Sequence, residues 1–204
     1  MPNWVSTTLS VTGSKEEITR FIAGIKDNKI LESYVTCPEE LHATVAGFVA
    51  EDKAEEHRKQ QEANIAKYGH KDWWDWQYDN WGTKWGDCDT HLEKPVEMSN
   101  GSWEVQGYFS TAWGSADAGF RKVSDLFPSL MFFFDYDEEA GFFAGLEVIK
   151  GGVTIYEGLF EPCEYEGELD YDDYESIDKY EKWKNEESEK MWTEFYNEFP
   201  EVKS

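Results

Sequence analysis

Apolar and polar side chains alternate from Trp4 to Val11, with Val5, Thr7, Leu9 and Val11 on one side and Ser6, Thr8 and Ser10 on the other. That period of two predicts a half-buried strand, which Gly13 closes. Ser14 and Glu17 then form a capping box, and Ile18, Phe21, Ile22 and Ile25 follow at i, i+3, i+4 and i+7. An amphipathic helix is therefore predicted to about Asn28. Leu31, Ser33 and Val35 alternate again and predict a short second strand, stopped by Cys37-Pro38.

Between Pro38 and about Ser102 the pattern changes. Glu51 to Lys67 mixes charge with alanine, which suits an exposed helix. Next, Lys67 to Asp89 gathers Trp73, Trp74, Trp76, Trp81 and Trp85, half of the ten tryptophans in the chain. Helical spacing puts Trp73, Trp76 and Asn80 on one face, Gly82 is placed to end that helix, and a following turn is predicted to bring Trp81 and Trp85 together. Trp103, Val105 and Phe109 mark a third strand, and Phe120, Val123 and Phe127 the buried stripe of a second amphipathic helix with Ser115 as its N-cap and Pro128 as its stop. Leu130 to Tyr136 reads as a strand buried on both faces, and Phe142 to Ile149 with Val153 to Tyr156 flank the hairpin signal Gly151-Gly152.

From Glu157 onward seventeen Asp and Glu face five Lys, which is half of the formal net charge of −24. Ile177, Tyr180, Trp183, Met191, Trp192, Phe195 and Phe199 fall mostly at helical spacing in that segment, predicting an acidic amphipathic helix docked by its aromatic side. The order of elements predicts an α+β fold: a ferredoxin-like split β-α-β sheet with a helical Trp-rich insertion at about 38–102, an added hairpin and a C-terminal helix. Residues 1–157 are expected to form the domain and 158–204 its acidic extension.

Composition narrows the function. A chain this acidic repels nucleic acid and anionic membranes unless it carries a basic patch, and no such patch is visible in the sequence. No secretory leader or long apolar run is present, so a cytoplasmic protein is expected. Cys37, Cys88 and Cys163 are widely spaced and are expected to be reduced. Asp87-Cys88-Asp89-Thr90-His91, with His70 upstream, collects metal-capable side chains but matches no zinc spacing, and a solvated acidic loop is the stronger reading. No nucleophile signature joins a cysteine to His42, His57, His70 or His91, and no metal or cofactor is called for. Phe132 and Phe134 invite comparison with base-stacking sheets, yet lack accompanying Lys or Arg and read as core.

Three strings in the chain carry a resemblance. Met1-Pro2-Asn3-Trp4 opening into a strand, Asn80-Trp81-Gly82-Thr83-Lys84-Trp85, and Ser110-Thr111-Ala112-Trp113 followed by a helix and Phe127-Pro128 resemble the YubB-type ferredoxin-like proteins, over about residues 1 to 152. The resemblance implies a ferredoxin-like fold and a phage, prophage or plasmid setting, with no activity or catalytic residue to carry over. Gly114-Ser115-Ala116 departs from the proline-containing turn expected after Trp113, and the acidic segment lies outside the resemblance.

Two functions of different kind follow. The first is a non-enzymatic accessory protein that binds and inhibits a host protein through that protein's basic surface. Its contact residues would be Asp170, Asp172, Asp173, Glu175, Asp178, Glu181, Glu186, Glu187 and Glu189, mimicking a nucleic acid as an anti-defence device. The alternative is a protein or enzyme that takes a sugar or nucleotide in a pocket made by Trp73, Trp76, Trp81, Lys84 and Trp85. Against that pocket stands a structural clasp, in which Trp81 and Trp85 pack on the sheet under the alkyl stem of Lys84.

Overall fold

Strand β1 (Trp4–Gly13) keeps the predicted alternation, with Val5, Thr7, Leu9 and Val11 buried on one face. That amphipathic strand runs through the middle of a seven-stranded sheet among the residues that the computed structural model describes, 1–167 and 169–202. Across the sheet the order is β2 (Lys84–Leu92), β4 (Trp103–Ala112), β1, β5 (Met131–Glu138), β6 (Ala144–Lys150) and β7 (Val153–Phe160), and the two-residue β3 (Val96–Glu97) also pairs with β4. Every pairing is antiparallel, so this is an α+β fold. The turn between β6 and β7 has Gly151 at φ 57° and Gly152 at φ 78°, both in the region a two-residue hairpin of the primed kind demands.

One face of the sheet is covered by α1 (Lys15–Gly24) and α6 (Asp117–Leu126). Ser14 starts α1 by accepting the Glu17 amide at 3.3 Å, which satisfies one of the free N–H groups of its first turn. Ile18 and Phe21 of α1 and Phe120 and Val123 of α6 are buried against Phe109, Phe132 and Phe134. Phe120 lies 4.7 Å from Phe134 and 5.0 Å from Phe109 between ring centroids, so the two phenylalanines compared above with stacking rings are core. At the flank of this layer sit α2 (Ile30–Tyr34), α3 (Glu39–His42), the mostly exposed α4 (Ala54–Tyr68) and α5 (Trp73–Trp81).

The opposite face carries α7 (Tyr174–Glu198), whose Met191 and Phe195 pack on Phe133, Leu146 and Val148. Strand β5 is thus sandwiched, which is why Phe132, Phe133 and Phe134 are all buried in succession. No helix among the described residues is long and apolar enough to cross a membrane.

Four expectations are corrected. Leu31, Ser33 and Val35 are not a strand: Ile30–Tyr34 is helical, because the Asp87 carboxylate accepts the amides of both Ile30 and Leu31 at 2.8 Å and so caps it from a distance in sequence. The second strand comes instead from Lys84–Leu92, inside the stretch expected as an insertion, so the Trp-rich helix precedes that strand. Its alternation is hidden by two register shifts against β4 and by positive φ at Trp85, Gly86 and Asp89. Trp81 and Trp85 do not pair, since Gly82 at φ 78° ends α5 between them. Finally, Ala116 at φ 63°, not Ser115, occupies the N-cap of α6 and offers no side-chain hydrogen bond.

Candidate functional site

The tryptophan run is divided between core and surface. Asp72 starts α5 by accepting the Asp75 amide at 3.0 Å, and the helix turns Trp76 and Trp81 inward. Their rings meet edge to face at 5.5 Å, and the Trp81 indole N–H donates to the Val35 carbonyl at 2.8 Å. Both residues therefore belong to the core and are withdrawn from the proposed pocket. Trp73 packs against that core only in part, whereas Trp85 is 44% exposed. The clasp holds for Trp81 and fails for Trp85.

Trp85 belongs to a corner that the sheet register builds. Ala112 at the end of β4 is opposite Trp4 on one side and Lys84 on the other. Trp85 comes next in β2 and Trp113 next after β4, so three tryptophans and one lysine converge. Ring centroids of Trp4 and Trp85 are 6.3 Å apart, and those of Trp85 and Trp113 are 6.2 Å apart. The Lys84 ammonium stands 4.2 Å from the Trp85 centroid, 5.3 Å from Trp113 and 5.8 Å from Trp73. Lys84 takes part in none of the ion pairs among the described residues. Met1 to Trp4, Asn80 to Trp85 and Ser110 to Trp113, three strings far apart in sequence, meet here.

The corner is also strained. Trp85 has φ 72° and Trp113 φ 64°, a left-handed backbone that costs a bulky side chain about 1–3 kcal/mol. Each is held by its amide: Trp85 donates to Oε1 of the buried Gln77 at 3.0 Å, and Trp113 to the Asn3 carbonyl at 2.9 Å. Beside Lys84 opens a cavity of about 340 Å3 between the segment Ala46-Gly47 and the start of α5, lined further by Lys71, Asp72, Trp73 and Trp74. The Lys71 ammonium lies 6.0 Å from the Trp74 ring centroid. Trp4, Lys71, Trp74 and Trp113 were missed from the sequence as site members, because only strand register and the fold of the preceding loop bring them to Lys84.

The acidic residues of the C-terminal segment are spread over a loop and a helix. Asp170, Asp172 and Asp173 precede α7; Asp173 caps it through the Glu175 amide at 3.1 Å, and Asp170 accepts the Asp172 amide at 3.0 Å. Glu175, Glu186 and Glu187 pair with Lys179, Lys182 and Lys190 one turn away. Asp178, Glu181 and Glu189 stand exposed on the helix outside those pairs. Lys184 bonds Asp137 and pins α7 to β5. Under the last turns of α7 a larger cavity of about 700 Å3 crosses the open part of the sheet, lined by Ser10, Glu104, Asp135 and Trp192 among others. Burial of Asp135 raises its carboxyl above the usual range, against hydrogen bonds from Trp192 and Ser188.

No family model matches the chain, and no curated protein matches it. Among solved structures, the crystal structure of a protein api92 from Yersinia pseudotuberculosis is similar at 7% sequence identity, covering 78% of this chain and 98% of that one with a TM-score of 0.46.

Proposed function

We propose that this chain is a non-catalytic accessory protein of a mobile genetic element, ferredoxin-like in fold and YubB-type in family, that binds and inhibits a host protein through that partner's basic, nucleic-acid-binding surface. The strand order β2-β4-β1-β5, with a helix after β1 and another after β4, supports the ferredoxin-like reading. One observation carries the function: the outward acids Asp178, Glu181 and Glu189 sit on a helix that Phe195, Met191 and the Lys184–Asp137 pair fix to the sheet. Charges on a docked helix lose little freedom on binding, so they present a pre-arranged row of negative groups to a basic surface. The chain itself binds neither nucleic acid nor membrane in this reading, and it acts in the cytoplasm of the host cell.

The test is capture of host proteins by the wild type and by a variant carrying Asp178→Asn, Glu181→Gln and Glu189→Gln, followed by competition with duplex DNA and with salt. Captured partners should be basic, should be displaced by DNA and by rising salt, and should be reduced in the neutralised variant. Identical capture by both proteins, insensitive to salt and DNA, would remove the acidic helix from any functional role.

A further inference from the structure

Beyond partner binding, the tryptophan corner has the chemistry of a small-molecule site. In a chain of net charge −24, Lys71 and Lys84 line one cavity together with the indoles of Trp73 and Trp74. The one carboxylate on the lining, Asp72, is buried and already engaged, accepting the Asp75 amide at 3.0 Å and the Gln61 side chain at 3.5 Å. The lining therefore combines two lysines with two tryptophans, and its one carboxylate is already occupied.

Those groups select among ligands. A cation is disfavoured, because the Lys84 ammonium already sits over the ring faces of Trp85, Trp113 and Trp73 and would repel it. A bare inorganic anion satisfies the lysines but covers none of the surface that Trp74, in contact with Tyr78 on one side, still exposes. A long polyanion meets repulsion from the rest of the molecule. A ligand that combines one anionic group with one planar ring satisfies both halves, and a cavity of about 340 Å3 is within the size range of small-ligand pockets.

We propose that this cavity binds a nucleoside monophosphate, with the phosphate between Lys71 and Lys84 and the base against the exposed face of Trp74. Lys84 links the two parts of the corner, because it lines the cavity while its ammonium stands within 6 Å of the ring centroids of Trp85, Trp113 and Trp73.

Calorimetric titration of the intact protein with AMP at low salt tests this, with adenosine and inorganic phosphate as half-ligands. AMP should bind saturably, and each half-ligand should bind about tenfold more weakly or less, as expected when a charge-assisted hydrogen bond or a base stack is removed. Lys84→Gln, Lys71→Gln and Trp74→Ala should each weaken AMP by about tenfold while leaving the melting temperature near that of the wild type, because none of the three side chains is buried. The proposal is overturned if AMP, GMP and UMP all fail to saturate at millimolar concentration. It is equally overturned if adenosine binds as well as AMP, if a folded Lys84→Gln, Lys71→Gln protein binds AMP like the wild type, or if only a single-stranded oligonucleotide binds.

Discussion

Trp81 and Trp85 are four residues apart and lie on opposite sides of the boundary between core and surface. Trp81 is 1% exposed with its indole N–H on the Val35 carbonyl, whereas Trp85 is 44% exposed with the Lys84 ammonium over its ring. Trp81→Ala should therefore cost about 3–5 kcal/mol, because it opens a large cavity and removes the donor of the partly buried Val35 carbonyl. Trp85→Ala should cost about 1.5 kcal/mol, the low-end worth of one exposed cation–π contact and two tilted, distant ring contacts. Urea melts of the two variants decide the matter, and equal losses would mean that the corner is an extension of the core.

What could be read in the chain depended on how local its cause was. The β1 alternation, the Ser14 cap, the Gly151-Gly152 hairpin and the aromatic stripe of α7 are each set by neighbours in sequence, and each is found where expected. Helix α2 was hidden because its cap, Asp87, is 57 residues from Ile30. Strand β2 was hidden because its bulges and left-handed residues erase the period of two. The same limit applied to the site: Lys84 and Trp85 could be picked out from their run, but Trp4 and Trp113 join them only through pairing with β4. In α7, composition announced the acids without showing that Glu175, Glu186 and Glu187 are neutralised by lysines one turn away.

Asp87, grouped in the sequence with metal-capable neighbours, works as a clamp. Its two oxygens accept the amides of Ile30 and Leu31 at 2.8 Å and the Thr90 hydroxyl at 2.7 Å. Asp87→Ala should cost about 2–4 kcal/mol, since two amides and a hydroxyl lose their acceptor in a buried place. Amide exchange at Ile30 and Leu31 should speed up more than exchange in β1. A variant that melts like the wild type and protects those two amides would refute the clamp.

Phe195 tests whether the acidic helix is part of the fold. The ring is fully buried, edge-on to Phe133 at 5.7 Å and stacked on Phe199 at 5.1 Å. Phe195→Ala should cost about 3–5 kcal/mol if α7 and the sheet melt together. Circular dichroism should then show one transition that includes the helical signal. Early loss of helix with the sheet melting at its original temperature would show instead that α7 unfolds as a separate unit.

Glu147 predicts a pH dependence whose sign runs against the usual carboxylate case. It is 4% exposed in β6, and burial pushes its carboxyl up to about 7, with Asp117 and Glu157 adding to the rise; the Thr154 hydroxyl at 2.7 Å and Arg121 at 3.9 Å oppose it. Between its ordinary value of 4.5 and about 7 the folded chain holds a proton that the unfolded chain releases. Stability from this group is thus fully present below pH 4.5 and is lost as the pH rises to about 7, above which no further change occurs. Glu147→Gln keeps an acceptor for Thr154 and removes the titration. The variant should match the wild type near pH 4.5 and exceed it at pH 8 by on the order of 3 kcal/mol, because each tenfold change in the ionisation equilibrium is worth about 1.4 kcal/mol. Chemical denaturation of both proteins across that range measures the difference directly. A constant gap between the two curves would show that Glu147 is ionised throughout and that Arg121 and Thr154 outweigh its burial.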